Sequence, residues 1–114
     1  MRMYIGGEWR DADEKIHVVN PFDNSVVDTV PSADLRDVEI ALASSVRGAA
    51  VMRRVSGYER FKILRKAADL MEERSDEFAR VISMEEGKVI GEARTEVDRA
   101  IQTLVLSAEE AKRI

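Results

Sequence analysis

The stretch Ser56-Gly57-Tyr58-Glu59-Arg60-Phe61-Lys62-Ile63-Leu64-Arg65-Lys66-Ala67-Ala68-Asp69-Leu70-Met71 decides how this chain is built. Ser56 followed three residues later by Glu59 fits a capping box, in which each side chain satisfies a backbone N–H that the helix start would leave unpaired. Phe61, Leu64, Ala68 and Met71 recur at helical spacing and form one apolar stripe. Ile63 and Leu70 are also apolar but lie off that stripe. Two apolar faces on one helix require two packing partners. The pattern therefore predicts a helix that rests one side on its own chain and docks the other elsewhere.

The helical pattern fills the chain beyond Pro31. Upstream of the break at Val55-Ser56-Gly57, Leu35, Val38, Leu42 and Ala49 share a face to about Met52, with Ser32 or Asp34 placed to cap the start. Downstream, Ser75 restarts a third helix. Asp76 and Glu77 follow where the helix dipole favours acids, and Phe78, Val81 and Ile82 form the side expected to be buried. Gly87 and Gly91 interrupt this pattern, each costing about 1 kcal/mol relative to alanine inside a helix. They mark a junction that needs a permissive backbone. A fourth helix follows, with Val97, Ile101, Leu104, Ala108 and Ala111 on one face and Val105 and Leu106 off it. It shows no stop signal before Ile114, so the pattern predicts more protein beyond that residue.

Before Pro31 the chain reads as short β runs. Met3-Tyr4-Ile5 and Glu8-Trp9-Arg10 flank Gly6-Gly7, a pair suited to the positive φ angles of a tight hairpin. Ile16 to Val19 and Ser25 to Val30 flank the turn-rich Asn20-Pro21-Phe22-Asp23-Asn24. The expected organisation is a small antiparallel sheet over residues 1–31 and about four α-helices over residues 32–114. Trp9 and Phe22 are expected to pack, and His17 to be an ordinary strand residue.

Composition narrows the chemistry. The 114 residues, 45% of them apolar, suffice for one modest core. The net charge of −4, with acids and bases interleaved, offers no footprint for nucleic acid or an anionic membrane. No apolar run approaches the roughly 18 residues of a membrane span. The first residues read as strand and turn, not as a signal peptide, so a cytoplasmic setting is expected. Zero cysteines exclude disulfides, thiolate metal sites and a thiol nucleophile within this stretch. The single histidine cannot by itself build a multi-histidine metal site.

Two further motifs look chemical. Glu85-Glu86-Gly87-Lys88-Val89 contains a Gly-Lys pair, but the upstream glycine of a phosphate loop is missing and Val89 stands where Ser or Thr should bind magnesium. Glu96 and Arg99 lie three apart on the fourth helix, which suits a surface ion pair of about 0.5 kcal/mol or less. Glu92 and Arg94 read the same way.

The order of these segments resembles the amino-terminal part of the aldehyde dehydrogenase superfamily. The residues that carry the resemblance are Tyr4-Ile5-Gly6-Gly7-Glu8-Trp9, Val19-Asn20-Pro21, Val27 to Ser32, Arg60 to Leu70, Glu85-Glu86-Gly87-Lys88, Glu92 to Val97 and Ala108 to Ile114. The resemblance implies an α/β parent enzyme that oxidises an aldehyde to a carboxylic acid with NAD or NADP. In that family a cysteine thiolate attacks the aldehyde, hydride passes to the nicotinamide, and a glutamate-activated water hydrolyses the thioester. The thiol, the general base, the oxyanion asparagine and the cofactor glycine loop all match positions downstream of this segment. It follows that these 114 residues alone are expected to be inactive and to bind no cofactor. Their partner is the rest of the enzyme, with the helices packed on its dinucleotide-binding domain, and the complete enzyme is expected to be a homo-oligomer. The alternative is a freestanding helical interaction or regulatory module derived from such an enzyme.

The resemblance also carries three residues. The carbonyl of Val19 and the carboxylate of Glu85 match oxygen ligands of a monovalent cation, a chemistry suited to a hard ion. Arg99 matches a residue lining the substrate tunnel, and arginine there resembles members that take aldehydes with a phosphate, phosphonate or carboxylate tail. Its planar fork can pair two anion oxygens at once. Where the family often has proline after Gly-Lys, this chain has Val89, which gives up a rigid start to the next helix.

Overall fold

The structure is a computed structural model that describes residues 1–113. Four strands precede four helices: β1 (Met3–Ile5), β2 (Glu8–Arg10), β3 (Lys15–Val19), β4 (Val26–Pro31), α1 (Leu35–Met52), α2 (Gly57–Glu73), α3 (Ser75–Glu86) and α4 (Ile90–Ala111). They divide into two compact units, one from Met1 to Arg54 and one from Val55 onward. Secondary structure thus changes at Pro31, whereas compactness divides after α1.

In the first unit, β1 and β2 pair antiparallel with Tyr4 opposite Trp9. Gly6 and Gly7 close the hairpin at φ 64° and 91°, backbone that a side chain would strain. A Cβ on Gly6 would lie 3.2 Å from the Ser44 Oγ, so the turn also sits hard against α1. β3 and β4 form a second antiparallel ladder with an irregularity between Val18 and Val19. Its turn is tied by local bonds: the Phe22 N–H donates to Asn20 Oδ1 at 2.9 Å and the Ser25 N–H to Asp23 Oδ1 at 3.0 Å. The single small sheet expected from the sequence is therefore two separate two-stranded ladders. Between them, Asp11 accepts from the Ala12 N–H at 3.0 Å and from Lys15, a local turn that breaks the run of strands.

Of the two expected caps for α1, Asp34 is the one used. It accepts the Asp37 N–H at 2.8 Å while its own N–H donates back to Asp37. Asp37 is the buried residue of this helix, and Arg10 of β2 lies 3.6 Å from its carboxylate. The apolar face is not buried here. Leu35, Val38, Leu42 and Val46 are all exposed, Leu42 by 63% and Val46 by 72%. Trp9 and Phe22 also depart from expectation. Trp9 touches the Tyr4 ring at 5.0 Å but stays largely open, and Phe22 is 90% exposed.

In the second unit the Ser56–Glu59 capping box forms as expected, with the Ser56 N–H donating to Glu59 at 3.0 Å and the Glu59 N–H to Ser56 Oγ at 3.2 Å. α2 packs mainly on α4, and α3 packs on α4 as well. Ala79, Ala93 and Val97 form the core, with Met71, Phe78, Ile82 and Ile101 around it. Alanines at the closest positions let the helix backbones approach, and Ala68, Ala108 and Ala111 are buried in the same way. Ser75 begins α3 as expected, but no side chain caps that end; Arg74 holds the preceding position and pairs its guanidinium with Glu77. α4 ends at Ala111 with Lys112 as its C-cap, short of the expected run to the last residue, and Ile114 lies outside the described residues. The off-stripe residues Ile63, Leu70 and Leu106 are exposed, while Val105 is half-buried. The second apolar face inferred for α2 is therefore open.

Candidate functional site

The junction between α3 and α4 is built by its glycine. Gly87 takes the left-handed conformation at φ 70° and its N–H donates to the Ser83 carbonyl at 3.0 Å, ending α3. The Ser83 hydroxyl donates to the Lys88 carbonyl at 2.7 Å and fixes the next residue. α4 then starts after Val89, whose carbonyl accepts the Glu92 and Ala93 N–H groups. Gly91 lies within α4, and a Cβ there would meet nothing within 4 Å. Only Gly87 of the two glycines meets a steric need.

This junction aims Lys88 at two carboxylates. Its ammonium lies 3.0 Å from Glu86 and bonds Glu96 on α4. Glu96, and behind it Glu86, hold the lysine above its ordinary pKa. Lys88, Glu92, Thr95, Glu96 and Arg99 line a shallow depression of about 290 Å³. The expected Glu96–Arg99 pair does not form, because Glu96 turns to Lys88; nor does Glu92–Arg94, since residues two apart on a helix do not face each other, and Arg94 lies 3.3 Å from Asp76 of α3. Among the described residues Arg99 makes no salt bridge, which leaves its guanidinium open beside the depression.

The other two sequence-derived positions are not among the residues lining this depression. Val19 ends β3 beside the ladder irregularity, in the first unit. Glu85 lies exposed in the last turn of α3, in the second unit, and makes no salt bridge among the described residues. No cluster of three or more His, Cys, Asp or Glu side chains fit for a metal occurs among the described residues. The Gly-Lys junction does not fit the phosphates of a dinucleotide either. Its lysine is engaged by two carboxylates, and Glu92 occupies the first turn of the helix that would face the anion.

Sequence reasoning missed Lys88 as the partner of Glu96. The two are eight residues apart with Lys88 outside the helix, so no helical spacing rule connects them. The signal was in Gly87, whose left-handed turn redirects the chain.

The model of the aldehyde dehydrogenase family matches residues 9–114, so the chain belongs to the aldehyde dehydrogenase family. It is 44% identical over 112 residues to the 3-sulfolactaldehyde dehydrogenase of Priestia aryabhattai, covering 98% of this chain and 23% of that protein. It is 37% identical over 113 residues to the glutarate-semialdehyde dehydrogenase of Pseudomonas putida, covering 97% of this chain and 24% of that protein. Among solved structures it superposes with a TM-score of 0.96 on aldehyde dehydrogenase 21 from Physcomitrella patens, in complex with the reaction product succinate. That match has 34% identity and covers 99% of this chain and 24% of the other. The chain thus spans about a quarter of the length of the relatives it matches. No helix among the described residues is long and apolar enough to cross a membrane.

Proposed function

We propose that this chain is the amino-terminal segment of an NAD(P)-dependent aldehyde dehydrogenase that oxidises an aldehyde with an anionic tail to a carboxylic acid. The segment contributes structure and one substrate contact; the nucleophile and the cofactor site come from the rest of the enzyme. The observation that carries the reading is the open guanidinium of Arg99 on α4, left without a carboxylate partner because Lys88 holds Glu96. An unpartnered arginine is set up to take a bidentate anion, whereas one already paired would have to give up its partner first. The relatives' names fit this chemistry, since sulfolactaldehyde and glutarate semialdehyde carry a sulfonate and a carboxylate away from the aldehyde.

Val19 and Glu85 belong to the same proposal as oxygen ligands of a monovalent cation in the complete enzyme. Glu85 supports it by having an exposed carboxylate that makes no salt bridge among the described residues. The segment is inactive by itself. The reading of a freestanding interaction module has less support, because α1 and α2 expose apolar faces that a self-sufficient module would cover.

The test is Arg99→Met in the complete enzyme. A charge-assisted bond to a substrate anion contributes about 1.5–3 kcal/mol, so the KM for a sulfonate- or carboxylate-tailed aldehyde should rise roughly ten- to a hundredfold. The KM for a neutral aldehyde of similar length should stay put. Equal changes for both substrates would defeat the assignment.

A further inference from the structure

We infer that Lys88 is a specificity-determining positioning residue: by holding Glu96, it keeps the neighbouring carboxylate off Arg99 and so preserves the guanidinium for the substrate's anionic tail. The inference rests on the proposed role of Arg99 and deepens it.

The geometry carries it in three steps. Glu96 and Arg99 are one helical turn apart on α4, a spacing at which opposite charges pair readily. Left to itself, Glu96 would cancel Arg99. Lys88 intercepts it from outside the helix, with Glu86 on its other side at 3.0 Å, and lines the same depression as Arg99. The lysine is held in place through its backbone, since its carbonyl accepts the Ser83 hydroxyl at 2.7 Å and the residue before it is the left-handed Gly87. Charge points the same way. Glu86 and Glu96 place two negative charges on a single lysine, so Lys88 has no positive charge to spare for the substrate. Arg99 is the cation of the depression that has no carboxylate of its own. The elevated lysine pKa agrees with this commitment to its two acids.

The experiment uses the complete enzyme and reads the ratio of KM for a carboxylate-tailed aldehyde to KM for a neutral aldehyde of equal length. Lys88→Met should release Glu96 onto Arg99 and raise that ratio at least fivefold. Lys88→Gln, a polar replacement at this partly exposed position, serves the same purpose should the methionine variant fold poorly. Lys88→Arg, which keeps the bridge, should hold the ratio within twofold. The double variant Lys88→Met with Glu96→Gln should bring the ratio back, because the carboxylate that the loss of Lys88 releases one turn from Arg99 is gone. A merely structural role for Lys88 would affect both substrates alike and would not be rescued by losing Glu96. The inference is overturned if Arg99→Met shifts the ratio while Lys88→Met and Lys88→Gln do not, or if the double variant fails to restore it. If Arg99→Met itself leaves the ratio unmoved, the role of Arg99 falls first and this one with it.

Discussion

Three adjacent residues, Gly87, Lys88 and Val89, set the geometry of the candidate site. The glycine provides a left-handed turn that an L side chain would resist by roughly 1–2 kcal/mol, and the lysine then reaches two acids. Val89 is the residue that departs from the family's frequent proline, yet its φ of −59° is already that of proline. A ring there would restrict the unfolded chain without bending the folded one. Val89→Pro is therefore expected to stabilise the protein by about 0.4–1 kcal/mol, read as a higher urea midpoint at unchanged slope. A lower midpoint would mean that the valine is not a tolerated loss but a requirement. Arg99 shows the limit of pairwise spacing rules at this scale. The spacing permits the Glu96 pair, and a competitor eight residues upstream decides the outcome.

At the scale of elements, the helix starts were legible and the helix faces were less so. Ser56 and Glu59 could be read as a capping box because both partners are local, and the box is present. Its pH dependence follows. The Ser56 backbone N–H, then the Ser56 hydroxyl, hold the Glu59 carboxyl below the ordinary glutamate range. A carboxyl depressed in the folded state contributes stability that is present above its unfolded pKa and is lost as the pH falls through its folded pKa. Glu59→Gln should flatten part of the loss of α2 helicity below about pH 5, followed by circular dichroism, and leave the neutral limb only slightly lowered. Glu77, whose carboxyl is lowered by its bond from Arg74 at the start of α3, adds to the acid limb of the same unit. An unchanged acid limb would show that the box is not maintained in solution. The faces depended on longer-range facts. The α2, α3 and α4 stripes find each other around Ala79, Ala93 and Val97, whereas Leu35, Val38, Leu42 and Val46 of α1 are exposed.

At the scale of the whole molecule, the exposed apolar residues decide how the chain behaves alone. Leu42 and Val46 of α1, Ile63 and Leu70 of α2 and Leu106 of α4 are exposed, apolar surface of the kind that marks a contact face or an aggregation liability. In the proposed function these faces are covered by the rest of the enzyme. The isolated 114-residue chain is expected to bind a hydrophobic dye, to self-associate and to reduce neither NAD nor NADP with any aldehyde. Replacing Leu42 and Val46 by lysine should diminish dye binding of the isolated chain, yet destabilise the complete enzyme by several kcal/mol through burial of unpaired charge. A monodisperse isolated chain with no dye binding, or one that turns over an aldehyde, would contradict this account.

The sequence by itself determined what depends on neighbours along the chain: the Gly6-Gly7 hairpin, the Ser56–Glu59 capping box, a cap at Ser32 or Asp34, the restart at Ser75, and membership in a family whose model matches residues 9–114. These features need only a few consecutive residues and their hydrogen bonds. Tertiary structure alone decided that the strands form two ladders, that the face of α1 stays bare, and that Lys88 takes Glu96 away from Arg99. Each of these is a competition between partners distant in the chain. Its winner is set by where the backbone carries the charges and apolar groups, which local spacing does not encode.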